Sequence, residues 1–256
     1  MHRIRLLRDG AIGRVILTRA DKKNAIDRQM SDELFAALAQ FESDPACRVL
    51  HLGAEGEDFC AGADLDALER TLDAGSEVHR ADAESFGRVL LAIRALMKPV
   101  VCTVRGRALA SGAGLATACD LILAHEDAEF GYPEVRIGFV PALVMTMLRR
   151  AVGEKHAADL VLTGRIISAD EAERIGLASR VVPAATFDED INATLEQISR
   201  SPATSLALTK WLFYKLDALS FEDGIAAGVV TNVEARATED FKAAMRSFST
   251  RRQRPE

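Results

Sequence analysis

Three short apolar runs, at residues 48–53, 99–104 and 121–124, are separated by stretches whose apolar residues recur at helical spacing. This alternation constrains the fold more than any other feature. Strands held that far apart by helices need crossover connections, so they lie mostly parallel in an α/β sheet. Ahead of them, residues 3–7 and 14–18 flank a turn containing Gly10 and Gly13 and read as a hairpin. Asp27 stands where it caps a helix that places Met30, Leu34, Ala37, Leu38 and Phe41 on one face and ends near Pro45. Residues 65–97 read as helix broken near Gly75, and a further helix begins at residue 112. Residues 129–131 give another short strand. Beyond Pro141 the pattern becomes helix after helix, over 142–151, 154–163, 168–176, 186–200, 202–217 and 221–248, with 180–182 strand-like between them.

A length of 256 residues, 48% of them hydrophobic and 27% charged, suits one large domain with a sizeable core, or a domain with a small appendage. The net charge of −6, with Arg251-Arg252-Gln253-Arg254 as the one basic run, argues against nucleic acid as a partner. No run of apolar residues is long enough to span a bilayer, and the N-terminus is too charged for a signal-peptide core, so no membrane partner is expected. Cys47, Cys60, Cys102 and Cys119 show neither a metal nor a disulfide spacing and read as reduced packing thiols, which makes a cytoplasmic location the expectation. The five histidines form no ligand spacing, so no metal is expected.

The chemistry concentrates in two glycine-bearing turns and one carboxylate. Gly62-Ala63 follows the strand at 48–53, and Ala110-Ser111-Gly112-Ala113-Gly114 follows the strand at 99–104. In a parallel sheet both turns can lie at one edge, where one N–H from each converges on a single oxygen. The plainer alternative is two tight turns that need glycine for conformation alone. Gly112-Ala113-Gly114 opens a helix as a dinucleotide fingerprint does, but Thr117 replaces the third glycine, and the motif sits far from the first βαβ unit. Ser111 lies in no Gly-x-Ser-x-Gly elbow, which favours a capping or packing role over a nucleophile. Glu134, after Tyr132-Pro133 and between apolar neighbours, is the candidate proton carrier, against the alternative of an ordinary exposed turn residue.

Four motifs in order resemble the crotonase superfamily of enoyl-CoA hydratases and isomerases. They are Leu17-Thr18-Arg19-Ala20-Asp21-Lys22-Lys23-Asn24-Ala25, Phe59-Cys60-Ala61-Gly62-Ala63-Asp64-Leu65, the segment 98–138, and Leu162-Thr163-Gly164-Arg165-Ile166-Ile167-Ser168-Ala169. The resemblance covers nearly the whole chain. It implies a spiral of ββα units over residues 1–185 carrying an acyl-CoA site, followed by a C-terminal helical region, 186–256, that builds a homotrimer or a dimer of trimers. It implies an acyl-CoA thioester as substrate, with coenzyme A part of that substrate and no separate cofactor. The thioester carbonyl would lie between the N–H groups of Ala63 and Ser111, with Glu134 as acid/base. Lys22, Asn24, Ala25, Ala61, Gly62, Asp64, Leu65, Gly112, Gly114, Pro133 and Ala142 would line the substrate.

Gly114 stands where well-known hydratases carry a first glutamate, and Phe139-Val140-Pro141-Ala142-Leu143-Val144 replaces their glycine-rich run. One glutamate suits a 1,3-proton shift, the Δ3,Δ2-enoyl-CoA isomerase reaction. Yet Gly114-Leu115 and Pro141-Ala142 resemble methylglutaconyl-CoA-type hydratases, which favours hydration of a 2-enoyl-CoA by Glu134 alone. A non-catalytic acyl-CoA binder and a CoA-thioester hydrolase are the further alternatives.

Overall fold

The computed structural model describes residues 2–252. Its main sheet contains β1 (Ile4–Asp9), β2 (Ile12–Leu17), β3 (Val49–Ala54), β4 (Val100–Val104), β6 (Leu121–His125) and β9 (Arg180–Val182), side by side in that order. β1 and β2 form the antiparallel hairpin, and every later neighbour in this sheet is parallel. A smaller sheet holds β5 (Arg107–Leu109), β7 (Glu129–Gly131) and β8 (Ile166–Ser168).

Helix α1 (Arg28–Ser43) begins where Asp27 accepts the N–H of Met30, and it buries Met30, Leu34, Ala37, Leu38 and Phe41. A cap of this kind is worth about 1 kcal/mol. After β3 come α2 (Leu65–Glu69) and α3 (Ser76–Ala95), divided by extended Gly75 at the expected break. Helix α4 (Ser111–Ala118) follows β5 directly and is buried along almost its whole length. The main core lies between the inner face of the sheet and α1, α3, α4 and α5 (Met145–Thr163). A second, smaller core on the outer face joins Ile12, Val49, Val101 and Leu123 to Phe187, Ile191 and Leu195 of α7 (Phe187–Ser199), which follows α6 (Ala169–Arg174). Beyond α7, α8 (Ala203–Lys215) is tied to the core by the buried Lys210, whose Nζ donates to Ile93 O at 2.9 Å, Lys98 O at 3.0 Å and Asp120 at 2.7 Å.

The differences from the sequence reading are local. β5 and β8 are three residues long, too short to show an alternating pattern. The helices expected at 142–151 and 154–163 form one element kinked at Gly153, whose φ is +75°. The helix expected over 221–248 is two, α9 (Phe221–Ala237) and α10 (Glu239–Arg252). Thr238 between them is extended, and its hydroxyl accepts the Phe241 N–H at 3.2 Å while donating to the Ala235 carbonyl at 2.7 Å.

Candidate active site

The turn after β3 is held on one side by β5, through Cys60 N–H on Arg107 O and Leu109 N–H on Cys60 O, both at 3.0 Å, and on the other by the loop before α1. Ala61 N–H donates to Lys23 O at 2.9 Å, Ile26 N–H to Gly62 O at 2.8 Å and Asp64 N–H to Ile26 O at 2.9 Å. In a parallel bridge of this kind the residue between the bonded groups, Ala63, turns its own N–H to the opposite side. Gly62 makes the turn possible with φ +107°, and a Cβ there would lie 3.0 Å from Ala110 Cβ and 3.7 Å from the Ser111 nitrogen. The two glycine turns therefore abut, as the spacing suggested. Ala110 holds φ 51°, ψ −121°, a region costly for any residue with a side chain, and so aims the start of α4. Ser111 is the first residue of α4, so its N–H has no intrahelical acceptor. Gly112 packs directly on Cys60.

Glu134 sits in the 3₁₀ helix Pro133–Ile137, opened by Pro133 and pinned by Phe139 N–H on the Glu134 carbonyl at 3.0 Å. Its side chain is only 8% exposed, and its Oε2 has no hydrogen-bond partner among the described residues. Burial raises its pKa above the usual carboxylate value, opposed only by its own backbone N–H. The hydroxyl of Tyr132, fully buried two residues earlier, donates to Thr117 Oγ1 at 2.8 Å, while Thr117 donates to Ala113 O at 2.7 Å. This bond ties the Glu134 turn to α4, the element that carries Ser111.

A cavity of about 610 Å³ brings Ala63, Ser111 and Glu134 together. Its walls come from α1, α2, α3 and the segment 139–144, notably Leu68, Val78, Phe86, Val140 and Val144. Three other carboxylates line it, and all are paired. Asp64 meets Arg19 at 2.5 Å, Asp27 meets Arg3 at 2.8 Å, and Asp82 meets Arg28 at 3.3 Å. Glu134 is the lining carboxylate without a cation among the described residues.

Several expected ligand contacts take other roles. Asn24 is wholly buried, accepts Arg19 N–H at 2.8 Å and donates to Glu55 O and Asp58 O at 2.8 and 2.9 Å. Its side chain builds the loop and is not open to a ligand. Asp64 is held by Arg19 and caps α2 through Ala67 N–H. Ala25 is half-buried, with its carbonyl taken by Arg19. Lys22 is exposed at 2.7 Å from Asp66, and Leu65 is 65% exposed. Ala61 and Pro133 are half-buried beside Gly62 and Glu134, and Ala142 lines the cavity.

Gly114 is the most informative. A Cβ there would lie 1.9 Å from Val144 Cγ1, so a valine fills the space that any side chain at this position needs. Sequence reasoning missed Val144; its signal was the pairing of a bare Gly114 with an altered loop thirty residues on. Met145 and Leu148, on the helix that follows this loop, do not line the cavity, and Leu148 is in the core. Among the described residues no group of histidine, cysteine, aspartate or glutamate has the arrangement of a metal site.

The small-residue turn, the helix start beside it and one carboxylate unpaired among the described residues thus share a single cavity at the edge of an α/β fold. A family model described as Enoyl-CoA hydratase/isomerase matches residues 8–255. A Thermus thermophilus protein provisionally named an enoyl-CoA hydratase is 41% identical over 243 residues, 95% of this chain and 96% of that protein. A crystal structure of an enoyl-CoA hydratase from Mycobacterium smegmatis superposes with a TM-score of 0.93 at 30% identity, covering 99% of this chain and 98% of that one. One from Geobacillus kaustophilus gives 0.89, also at 30% identity, covering 99% and 97%. The chain belongs to the enoyl-CoA hydratase/isomerase family, with the crotonase fold, and is an enzyme of that family.

Proposed function

We propose that the chain hydrates a 2-enoyl-CoA thioester with Glu134 as its sole acid/base. The reading is carried by the buried Oε2 of Glu134, which has no partner among the described residues and faces a cavity shared with Ala63 and Ser111. The thioester oxygen lies between the Ala63 and Ser111 N–H groups, which stabilise the enolate as negative charge develops; one such donor is worth roughly 2.7–4 kcal/mol. The Glu134 carboxylate takes a proton from water, the hydroxide bonds to C3, and the electron pair of the C2–C3 double bond moves onto the enolate. The protonated Glu134 then delivers that proton to C2, which restores the carboxylate. The family match and the names of the relatives support hydration. Lys22, Ala61, Gly62 and Leu65 form the rim along which coenzyme A lies, and Ala142 belongs to the acyl wall. A branched acyl group of the methylglutaconyl type is the narrower substrate we infer.

One observation favours a second reading. Val144 takes the place beside α4 where a second carboxylate would sit. A site with one proton carrier also suits removal of a proton from C2 of a 3-enoyl-CoA and its return at C4, the isomerase reaction. Products from paired 2-enoyl and 3-enoyl thioesters separate the two readings: a gain of one water supports the first, an isobaric shift the second. Tight binding without turnover in either would leave a non-catalytic binder, and release of free CoA a thioester hydrolase.

We also propose that residues 186–256 serve assembly into a homotrimer or a dimer of trimers. Phe213, Phe221, Val229 and Val233 of α8 and α9 are each at least 60% exposed, an apolar face out of keeping with an isolated surface. Light scattering on the eluted protein tests it, and a monomer at micromolar concentration would contradict it. No helix among the described residues is long and apolar enough to cross a membrane; a cytoplasmic location is part of the proposal.

A further inference from the structure

On the outer face of the main sheet, away from Glu134, the N-terminal half of α7 overhangs a second cavity of about 340 Å³. Its floor is a polar stripe across three neighbouring strands in an otherwise apolar surface: Arg14 on β2, His51 on β3 and Thr103 on β4. Arg14 Nη1 lies 3.2 Å from His51 Nδ1, and His51 Nε2 lies 2.8 Å from Thr103 Oγ1. A guanidinium can only donate, so Nδ1 accepts and Nε2 carries the hydrogen, which it donates to Thr103. The Thr103 hydroxyl is thereby left with its own proton to give, and it makes no other hydrogen bond among the described residues. Burial and the neighbouring Arg14 push the His51 pKa down to about 3, so the ring stays neutral in this relay.

The remaining groups are also donors. Asn192 Oδ1 accepts from Arg14 Nη2 at 2.8 Å, which leaves the Asn192 amide hydrogens free of that bond. The Arg105 guanidinium carbon lies over the Phe187 ring, 5.0 Å from its centroid, and the group forms no ion pair among the described residues. The nearby acids offset these cations only in part. Asp58 is held by Arg107 through two contacts of 2.8 and 2.9 Å, and Asp9 is 77% exposed and 3.9 Å from Arg14. Asp188 lies exposed on the lining.

We propose that this second cavity binds a small oxyanion, a phosphate or a carboxylate group, held by Arg14, Arg105 and the Thr103 hydroxyl. Two guanidiniums and a hydroxyl with a proton to give match the acceptor-only surface of such a group. Phe187 and Ile191 give an apolar wall for whatever body carries it. The site is independent of the acyl-CoA reading, because none of its polar groups lines the Glu134 cavity.

Calorimetric titration of the full chain with inorganic phosphate, and separately with acetate, tests the site and tells the two ligand chemistries apart. Saturable binding of one of them with a Kd near or below ~1 mM is expected. Arg105→Ala, at an exposed position, should weaken it at least about tenfold with an unchanged melting temperature, as loss of a charge-assisted contact does. Asp188→Asn should tighten it. Thr103→Val gives a second check, read with its melting curve. Failure of both anions to saturate, or equal affinity in wild type and Arg105→Ala, would overturn the proposal.

Discussion

Glu134 and His51 are buried to the same degree, each 8% exposed, and burial pushes each towards its neutral form. They differ in their partners. His51 has both ring nitrogens engaged, by Arg14 and Thr103, and its place in the sheet is filled. Glu134 has a carboxylate oxygen with no partner among the described residues, at a cavity that Ala63 and Ser111 also line. Desolvation alone marks both residues as unusual, and only the pairing state tells a proton carrier from a member of a relay.

The strongest way to break this comparison is substitution at both places. Glu134→Gln should lower turnover at least ~10²-fold, as loss of a general acid/base does. His51→Gln should leave turnover within about twofold of wild type, since it lies outside the proton path. Equal losses would erase the distinction. Next in size, Gly114→Ala should cost about 1–3 kcal/mol in chemical denaturation, because the new methyl meets Val144, and Val144→Ala in the same chain should recover part of it. Tyr132→Phe removes one buried hydrogen bond to Thr117 and should cost about 1 kcal/mol. Turnover should fall further than this stability loss explains if that bond fixes the Glu134 turn against α4.

The remaining effects lie in pH dependence, and they have opposite signs. The folded pKa of Glu134 is raised above its unfolded value near 4.5, so the stability it contributes as a neutral acid is present below that value and is lost as pH rises through the folded pKa. Glu134→Gln should therefore be the more stable protein at pH 8 by thermal melting, with the gap closing towards pH 4. For His51 the folded pKa is lowered from 6.5 to about 3, so the unfolded chain binds the extra proton between those values and stability falls as pH drops through them. His51→Gln should lose less stability than wild type between pH 6 and 4.

Much of this was legible from residue spacing. Asp27 and the apolar stripe of α1 specify a cap and a face, and the strands at 49–54 and 100–104 announce crossovers, because each signal is local and longer than a turn. The adjacency of Gly62 and Ser111 was readable as two turns at one sheet edge. Val144 against Gly114 was not, since nothing in either local pattern says that a side chain from a loop enters the notch left by a glycine. Asn24 misled for a related reason. A polar residue in a loop motif suits a ligand as well as it suits three backbone partners, and only burial decides between them.

The most direct test of the central claim is the product mass from paired 2-enoyl-CoA and 3-enoyl-CoA thioesters, with wild type run beside Glu134→Gln. The account predicts a gain of one water from the 2-enoyl substrate in wild type and its near-complete loss in the variant. Water addition that persists in Glu134→Gln would contradict it.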